Sequence, residues 1–380
     1  MYKLIILMLK AYQYRLYPKK SQVTVLNQTL EQCRMVYNRV LAIRKDAWDR
    51  EQKHVGYYET KKLLPEWKLE YPSLKNVHSQ VLQDVVTRVD KAYKAFFRRV
   101  KCGETPGHPR FKQFGRYDSI TYTQSGFDLN GQMLTLSKVG DVPVITHRMF
   151  EGEIKTCTIR RSRTGKWFAS ITVETDNTPI LNNQNPSVGI DLGIKKFITF
   201  STGESIDNPR FFKTDEVALA KAQRKLSKQV KGTVKRRQSV MIVSKIHERI
   251  ANRRKDFAHK LSRQLVDTYG LIAFEDLDIK EMVQDPDYSK GISDVAWNTL
   301  LQMTQNKAAE AGCCVVLIPS YYTSQTCSLC GHVEEDNRKS QTQFVCLKCG
   351  HAENADVNAA KNILGLGLQS VASTLSTVPA

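Results

Sequence analysis

Four cysteines constrain this chain more than any other feature. Cys327, Cys330, Cys346 and Cys349 form a C-x2-C pair, a gap of fifteen residues and a second C-x2-C pair. That is the spacing of a zinc ribbon. Four thiolates close a tetrahedral shell around Zn2+ and leave no open position for chemistry, so the ion is expected to be structural. Disulfides and an iron–sulfur cluster are the alternatives for the same sulfurs; the spacing favours zinc. Seven residues past Cys349 comes Asp356, in Asn354-Ala355-Asp356-Val357-Asn358-Ala359-Ala360, a carboxylate placed beside the staple.

A chain of 380 residues can hold two or three domains. Its formal net charge of +19 and pI near 9.5 point to a polyanionic partner, nucleic acid first. An anionic membrane surface is the other polyanion, but no amphipathic basic tail stands out, and no run approaches the ~18 apolar residues that span a bilayer. The other cysteines (Cys33, Cys102, Cys157, Cys313, Cys314) show no regular framework, which suits a reducing, cytoplasmic compartment. Cys313 and Cys314 lie in an apolar run and read as small core residues. The N-terminal apolar run, Leu4 to Leu9, is short for a signal-peptide core and lacks a small-residue cleavage site. Met8 is as plausible a start as Met1.

Residues 8–17 alternate as a strand, ended by Pro18. From Ser21 the period becomes helical, with Leu26, Leu30, Cys33, Tyr37 and Val40 in one stripe. A second helix is expected over 77–100 with Val81, Leu82, Val85, Val89, Tyr93 and Phe96 inward; Leu64-Pro65-Glu66-Trp67 between them reads as a loop. Residues 118–175 read as short antiparallel strands, with turns at Asn130-Gly131 and Thr164-Gly165-Lys166. These strands would pair with the first, making the helices an insertion. After a polar linker, strands near 187–201, 271–274 and 313–318 alternate with helices at 215–268, 293–311 (Ser293 or Asp294 as cap) and 355–365, an α/β core. The Ser/Thr-rich segment 367–380 is expected to be disordered.

Three acids sit at element ends: Asp191 closes an apolar strand, Glu275 follows another, and Asp356 opens a helix. Carboxylates at strand ends converge on one edge of an α/β sheet. Three together repel unless cations neutralise them. Hard oxygen ligands suit Mg2+ or Mn2+, and two such ions ~4 Å apart serve phosphodiester cleavage. Each acid also has a plain reading: a turn aspartate, a solvent-facing strand end and a helix-dipole partner. Asp276 and Asp278 rival Glu275, which is preferred as the first residue after the apolar stretch.

Residues 221–260 carry fourteen Lys/Arg against Glu248 and Asp256 alone, so +12 of the net charge falls in forty residues. Val243, Ile246, Ile250, Phe257, Leu261 and Leu265 fit one face, so the segment reads as a single amphipathic helix with a cationic outer side. Binding to phosphates through that side, with Lys245, Arg249, Arg253 and Arg254 as candidates, would be steeply salt-dependent.

Gly189-Ile190-Asp191-Leu192-Gly193, Phe274-Glu275-Asp276-Leu277, the four-cysteine ribbon and Asp356-Val357-Asn358-Ala359-Ala360-Lys361-Asn362-Ile363 together resemble the TnpB family. So do Tyr12-Gln13-Tyr14-Arg15-Leu16-Tyr17-Pro18 and Gly107-His108-Pro109-Arg110-Phe111-Lys112. The likeness runs over residues 8–366; order and spacing make it specific. TnpB proteins are transposon-encoded, RNA-guided nucleases considered ancestral to type V CRISPR effectors. The resemblance implies a multidomain α/β protein: a β-barrel wedge domain (1–20 and 102–180), a helical recognition insertion (21–101), a RuvC-like nuclease of RNase H fold (186–319 and 353–366) and an inserted zinc ribbon (320–352). It implies a transposon-end-derived guide RNA, one protein per guide, cleavage of double-stranded DNA beside a short transposon-adjacent motif, and no membrane, in a prokaryotic, nucleoid-associated setting. Carried over, Asp191, Glu275 and Asp356 are the metal-binding catalytic acids. Specificity would come from base pairing while the protein reads duplex shape. Gln80 is a candidate for adenine readout, its bland reading being a polar helix face. Arg110 and Lys112 are expected on phosphates and Phe111 in the core. A guided DNA-binding regulator without cleavage, and an RNA-independent nuclease of branched DNA, are the competing functions.

Overall fold

The computed structural model describes residues 6–177, 184–277, 297–340 and 342–376. The chain forms two compact units, Met1–Asn177 and Thr178–Ala380.

In the first unit, strand β1 (Ile6–Leu16) is followed by helices α1 (Lys20–Glu51), α2 (Tyr57–Lys62), α3 (Leu64–Glu70) and α4 (Ser79–Lys101). Six strands complete it: β2 (Ser119–Tyr122), β3 (Phe127–Asn130), β4 (Met133–Leu136), β5 (Gly140–Ile145), β6 (Glu153–Arg161) and β7 (Trp167–Asn177). β1 pairs with β7 along its whole length, from Ile6 opposite Asn177 to Leu16 opposite Trp167. The helices are therefore an insertion between β1 and β2. The sheet order is β2-β6-β7-β1-β5-β4-β3.

That order forces curvature. β2 and β3 are the two edges, yet residues 123–126 alone separate them. Such a link reaches at most ~17 Å, whereas seven flat strands would span ~29 Å. The sheet must curl until its edges approach. Tyr122 on β2 meets the Phe127 ring on β3 at 6.3 Å and donates its hydroxyl to the Ser137 carbonyl at 3.1 Å. Among the described residues no ladder joins the edges, so the curl is closed by side chains. The turns fall at Gly131 and Gly165, whose φ values of 57° and 79° suit glycine.

The helical stripes are buried as their periods require: Leu26, Leu30, Cys33, Tyr37 and Val40 on α1, and Val81, Leu82, Val85, Val89 and Tyr93 on α4. The segment expected as a loop at Leu64-Pro65-Glu66-Trp67 is instead the start of α3, with Leu64 and Trp67 buried. Pro65 sits in the first turn, where its missing N–H has no helical partner to lose.

In the second unit, β8 (Ser187–Leu192), β9 (Lys196–Phe200) and β10 (Ser205–Asp207) precede α5 (Phe211–Ser227) and α6 (Val234–Thr268). Then come β11 (Leu271–Asp276), α7 (Trp297–Ala311), β12 (Cys314–Pro319), β13 (Gln343–Val345), β14 (Ala352–Asn354) and α8 (Ala355–Ser376). The main sheet runs β10-β9-β8-β11-β12, with β8, β11 and β12 parallel and β9 antiparallel to both its neighbours. β11 reads as a continuous apolar run because both its faces are covered. Ile272 and Phe274 join Val188, Ile190, Leu261, Leu265, Trp297 and Leu300 on one side; Leu271 and Ala273 pack with Ile318 and Ile363 on the other.

Two glycines let α8 lie flat on the second face. A Cβ at Gly189 would run into the Ala360 carbonyl and come within 2.6 Å of the Leu364 nitrogen. One at Gly367 would stand 2.6 Å from the Ala273 Cβ. The expectation of a disordered tail is corrected over 367–376, which continue α8 with Val371 still packed against the sheet; residues 377–380 lie outside the described residues. The single basic helix is corrected too. It is a hairpin of α5 and α6, broken where Gly232 adopts φ 90°. Of the paired cysteines, Cys313 is buried as expected but Cys314 is exposed. Ser293 and Asp294 lie outside the described residues. Among the described residues no helix is long and apolar enough to cross a membrane.

Candidate active site and metal centre

Strand parity brings the acids together. On β8, Val188 and Ile190 face α6, so Gly189 and Asp191 face α8. On β11, Leu271 and Ala273 face α8, and Glu275 continues that side. Phe274 pairs with Ile190, so Glu275 and Asp191 are the next residues along adjacent parallel strands. Asp356 enters from above, in the first turn of α8, whose cap is Asn354: its Oδ1 accepts from the backbone N–H of Asp356 at 3.0 Å and of Val357 at 3.3 Å.

Burial dominates the electrostatics of the three acids, and at Asp191 the other two carboxylates add to it. Burial first, then Glu275 and Asp356, push the Asp191 carboxyl up to about 8, against a weaker pull from Arg338. Burial also raises Glu275, opposed by a hydrogen bond from Thr323 and by Arg338. Asp356 is raised by burial and lowered by Arg338 and Lys195. The rival Asp276 is exposed, one residue beyond the site and on the opposite face; Asp278 lies outside the described residues. A divalent cation held among the three carboxylates would neutralise the charge that burial makes costly. Their all-oxygen donor set fits Mg2+ or Mn2+.

Sequence reasoning missed four residues here. Arg338 places Nη2 3.3 Å from Asp356 Oδ1. Nothing in its polar loop marked it. Thr323, 3% exposed, donates to Glu275 Oε1 and fixes that carboxylate. Asn358 and Asn362, four apart on α8, gave a visible signal, two amides on an otherwise apolar helix. Asn358 Nδ2 donates to the Thr326 carbonyl at 2.8 Å while its Oδ1 accepts from the Ser328 N–H at 2.9 Å. Asn362 Nδ2 donates to the carbonyls of Thr323 and Thr326 at 2.9 and 2.7 Å.

The cysteines form a second centre. Their Sγ atoms lie within 4.8 Å of one another, with Cys327–Cys349 at 3.7 Å and Cys330–Cys346 at 3.6 Å. A tetrahedral ion with ~2.3 Å metal–sulfur bonds has edges of ~3.8 Å, and a disulfide would need ~2.05 Å. The two knuckles match. Cys327 N–H donates to His332 and Cys346 N–H to His351; Gly331 and Gly350 N–H donate back to Cys327 and Cys346. Both glycines have φ 72°. The asparagine contacts of α8 reach the first knuckle, so the cluster and the acids share one framework.

The nucleic-acid candidates are mostly scaffold in this state. Gln80 Oε1 accepts from the Gln124 and Ser125 N–H groups at 3.0 and 2.8 Å, and its Nε2 donates to Gln124 Oε1 at 3.3 Å. Its amide holds the link between the sheet edges rather than standing free for an adenine. Arg249 pairs with Asp215 on α5, as does Arg253 at 3.4 Å, and Asp215 is 5% exposed. The two arginines close the hairpin through a buried acid, although much of each side chain stays exposed. Lys245 is exposed and Arg254 half-buried. Lys112 is anchored by its backbone to Arg34 and Asn38, with Nζ 5.5 Å from the Tyr37 ring centre. Arg110 is exposed, and Phe111, expected in the core, is 51% exposed because it lies in an extended segment over the helices.

The family model described as "Probable transposase" matches residues 170–285, and that described as "Cas12f1-like, TNB domain" matches 297–363. A model described as "Helix-turn-helix domain" matches 8–53, where the described structure is β1 followed by the single helix α1. The "Putative RNA-guided DNA endonuclease" of Streptomyces pristinaespiralis is 36% identical over 371 residues, covering 96% of this chain and 90% of that protein. The "Putative RNA-guided DNA endonuclease InsQ" of Escherichia coli (strain K12) is 32% identical over 377 residues, covering 94% and 92%. In fold, the chain superposes on Cas12f1 of the Cas12f1-sgRNA-target DNA complex with TM-score 0.57 at 15% identity, covering 91% of this chain and 83% of that one. The mini-RNA-guided endonuclease CRISPR-Cas_phi3 gives TM-score 0.57 at 8% identity, covering 95% and 92%. The fold is thus the multidomain one of these effectors, and at this identity over nearly its whole length the chain belongs to the TnpB family.

Proposed function

We propose that this chain is an RNA-guided DNA endonuclease whose active site is Asp191, Glu275 and Asp356. The observation that carries the reading is the convergence of the three acids on one sheet edge, with Asp191 raised to about 8 by burial and by the other two. Structural requirements alone would not keep a buried carboxylate at Asp191 within the field of two others. Mg2+ or Mn2+ held there would supply Lewis-acid activation of water and neutralise charge on the scissile phosphate. Asp191 and Glu275 would hold that cation from adjacent parallel strands, Thr323 fixes the Glu275 carboxylate, and Arg338 offers a guanidinium at the same edge for a phosphate oxygen.

The domain layout the family implies is a β-barrel wedge domain (1–20 and 102–180), a helical recognition insertion (21–101), a RuvC-like nuclease of RNase H fold (186–319 and 353–366) and the ribbon (320–352). The cysteines hold structural Zn2+. The outer side of the α5–α6 hairpin carries the guide RNA or heteroduplex backbone, and base pairing selects the target.

Purified protein carrying its guide RNA should cut a plasmid bearing the matched target in Mg2+, and the Asp191→Ala, Glu275→Ala and Asp356→Ala proteins should bind it uncut. Undiminished cutting by Asp191→Ala would sink the assignment. Target occupancy without strand breaks by the unmodified protein at saturating Mg2+ would make it a guided regulator instead.

A further inference from the structure

The first unit contains a cavity of about 280 Å³ that the proposed reaction does not use. It opens between the last turns of α1, residues 53–55, the C-terminal half of α4 and His108. Its floor is fixed. Arg44 is buried, pairs with Asp90 at 3.2 Å and lies 4.2 Å from the Tyr93 ring centre. Its walls are aromatic. Phe96 and His108 meet edge to face at 5.1 Å, Tyr93 and His108 at 5.7 Å, and Tyr93 stacks with Phe97 at 6.3 Å.

Two of these rings are open to water: Trp48 is 54% exposed and Phe97 51%. Aromatic rings left wet in a concave site offer a flat, apolar group a face to stack on, and such a group would remove that surface from water. The rim adds the rest of the specification. Lys45 and Lys53 are exposed cations at the mouth, and Asp49, His54 and His108 supply hydrogen-bonding groups for a polar edge. A π-faced heterocycle with a polar edge and a flanking phosphate satisfies all three. That is a nucleotide within a strand.

The source follows from the cost of exposing a base. A folded single-stranded RNA carries unpaired bases in loops and bulges, already free to stack on aromatic side chains. A duplex target must first break a pair and its stacking. We propose that the Trp48–Phe97 cavity captures an unpaired base of the guide RNA, with Lys45 and Lys53 on its phosphates. The site anchors RNA at the helical insertion of the first unit. This rests on the RNA-guided reading above.

The test irradiates the purified protein–RNA complex with ultraviolet light, with and without bound target DNA, and maps crosslinked peptides and nucleotides. RNA crosslinks should fall in the peptides holding Trp48, Phe97 and His108. Trp48→Ala should abolish them and weaken RNA binding about tenfold, as loss of one base-stacking platform does. Trp48→Tyr should restore binding. Because Trp48 is exposed, thermal denaturation should change little in the alanine variant, and a large drop would mean a packing role and overturn the proposal. RNA crosslinks confined to other regions, or crosslinks here only to target DNA, would also overturn it while leaving the guided reading intact. Absence of any bound RNA would instead remove the guided reading, and this inference with it.

Discussion

Arg338 reaches out of the ribbon to place Nη2 3.3 Å from Oδ1 of Asp356, and its charge lowers the proton affinity of all three acids. A single guanidinium thus offsets the repulsion among carboxylates on three different elements. Arg338→Ala should cut target DNA roughly a hundredfold more slowly, the usual scale for losing one charge-stabilising donor. Arg338→Lys should recover part of this, since it keeps the charge but not the planar fork. Single-turnover cleavage at saturating RNA reads both, and wild-type rates in the alanine variant would refute the role.

The Asp191 carboxyl has an unfolded value of 3.8 and a folded value of about 8. Between those values the folded chain holds a proton that the unfolded chain has released. This contribution to stability is complete below 3.8, falls as pH rises and is exhausted above about 8. Zinc-loaded protein without added divalent cation should therefore melt at progressively lower temperature from about pH 5 to pH 8. Asp191→Asn should flatten that slope and melt higher at the alkaline end, and saturating Mg2+ should flatten it in the unmodified protein. Melting curves of both proteins across the pH range decide it; parallel slopes would contradict the crowded-acid picture.

The acids and cysteines were legible because their signals are local: a carboxylate ending an apolar strand, and thiols at fixed spacing. The partners that make them a site were not. Arg338 and Thr323 are ordinary polar residues until β13, β14 and α8 fold the ribbon against β11. The α5–α6 hairpin read as one helix because charge pattern does not register a Gly232 turn, and Asp215, which closes it, lies outside the basic run. Gln80 read as a free amide because its donors, the Gln124 and Ser125 N–H groups, are over forty residues away. The tail looked disordered because its Ser/Thr content hides an apolar stripe that only the sheet reveals.

The ribbon's cysteines are tied to the acids through α8, so loss of zinc should be felt at the active site. About one zinc per chain is expected for the unmodified protein. Cys327→Ser or a strong chelator should free Thr326 and Ser328 from Asn358 and release Thr323 from Glu275. Hydrogen exchange should rise over residues 320–352 and the first turns of α8, while α4 and β7 stay protected. Metal analysis paired with exchange reads this; unchanged protection in the zinc-free protein would uncouple the two centres.

Gly189 is where the sheet admits α8. A Cβ there collides with the Ala360 carbonyl and sits 2.9 Å from Leu364 Cβ, both on α8, the helix that carries Asp356. Neither the strand nor the helix backbone can give way without lifting the helix. Gly189→Ala should cost about 3 kcal/mol, the upper range for overpacking a well-filled interior. It should also move Asp356 away from Asp191 and Glu275, which predicts a specific second effect. The Mg2+ concentration for half-maximal cleavage should rise, and the pH-dependence of metal-free stability should shrink as the acids separate. Gly367→Ala, whose Cβ would stand 2.6 Å from the Ala273 Cβ, further along the same helix from Asp356, should lower stability without moving the Mg2+ requirement. If both variants shift stability alone, the close approach at Gly189 serves packing and has no part in aligning the acids.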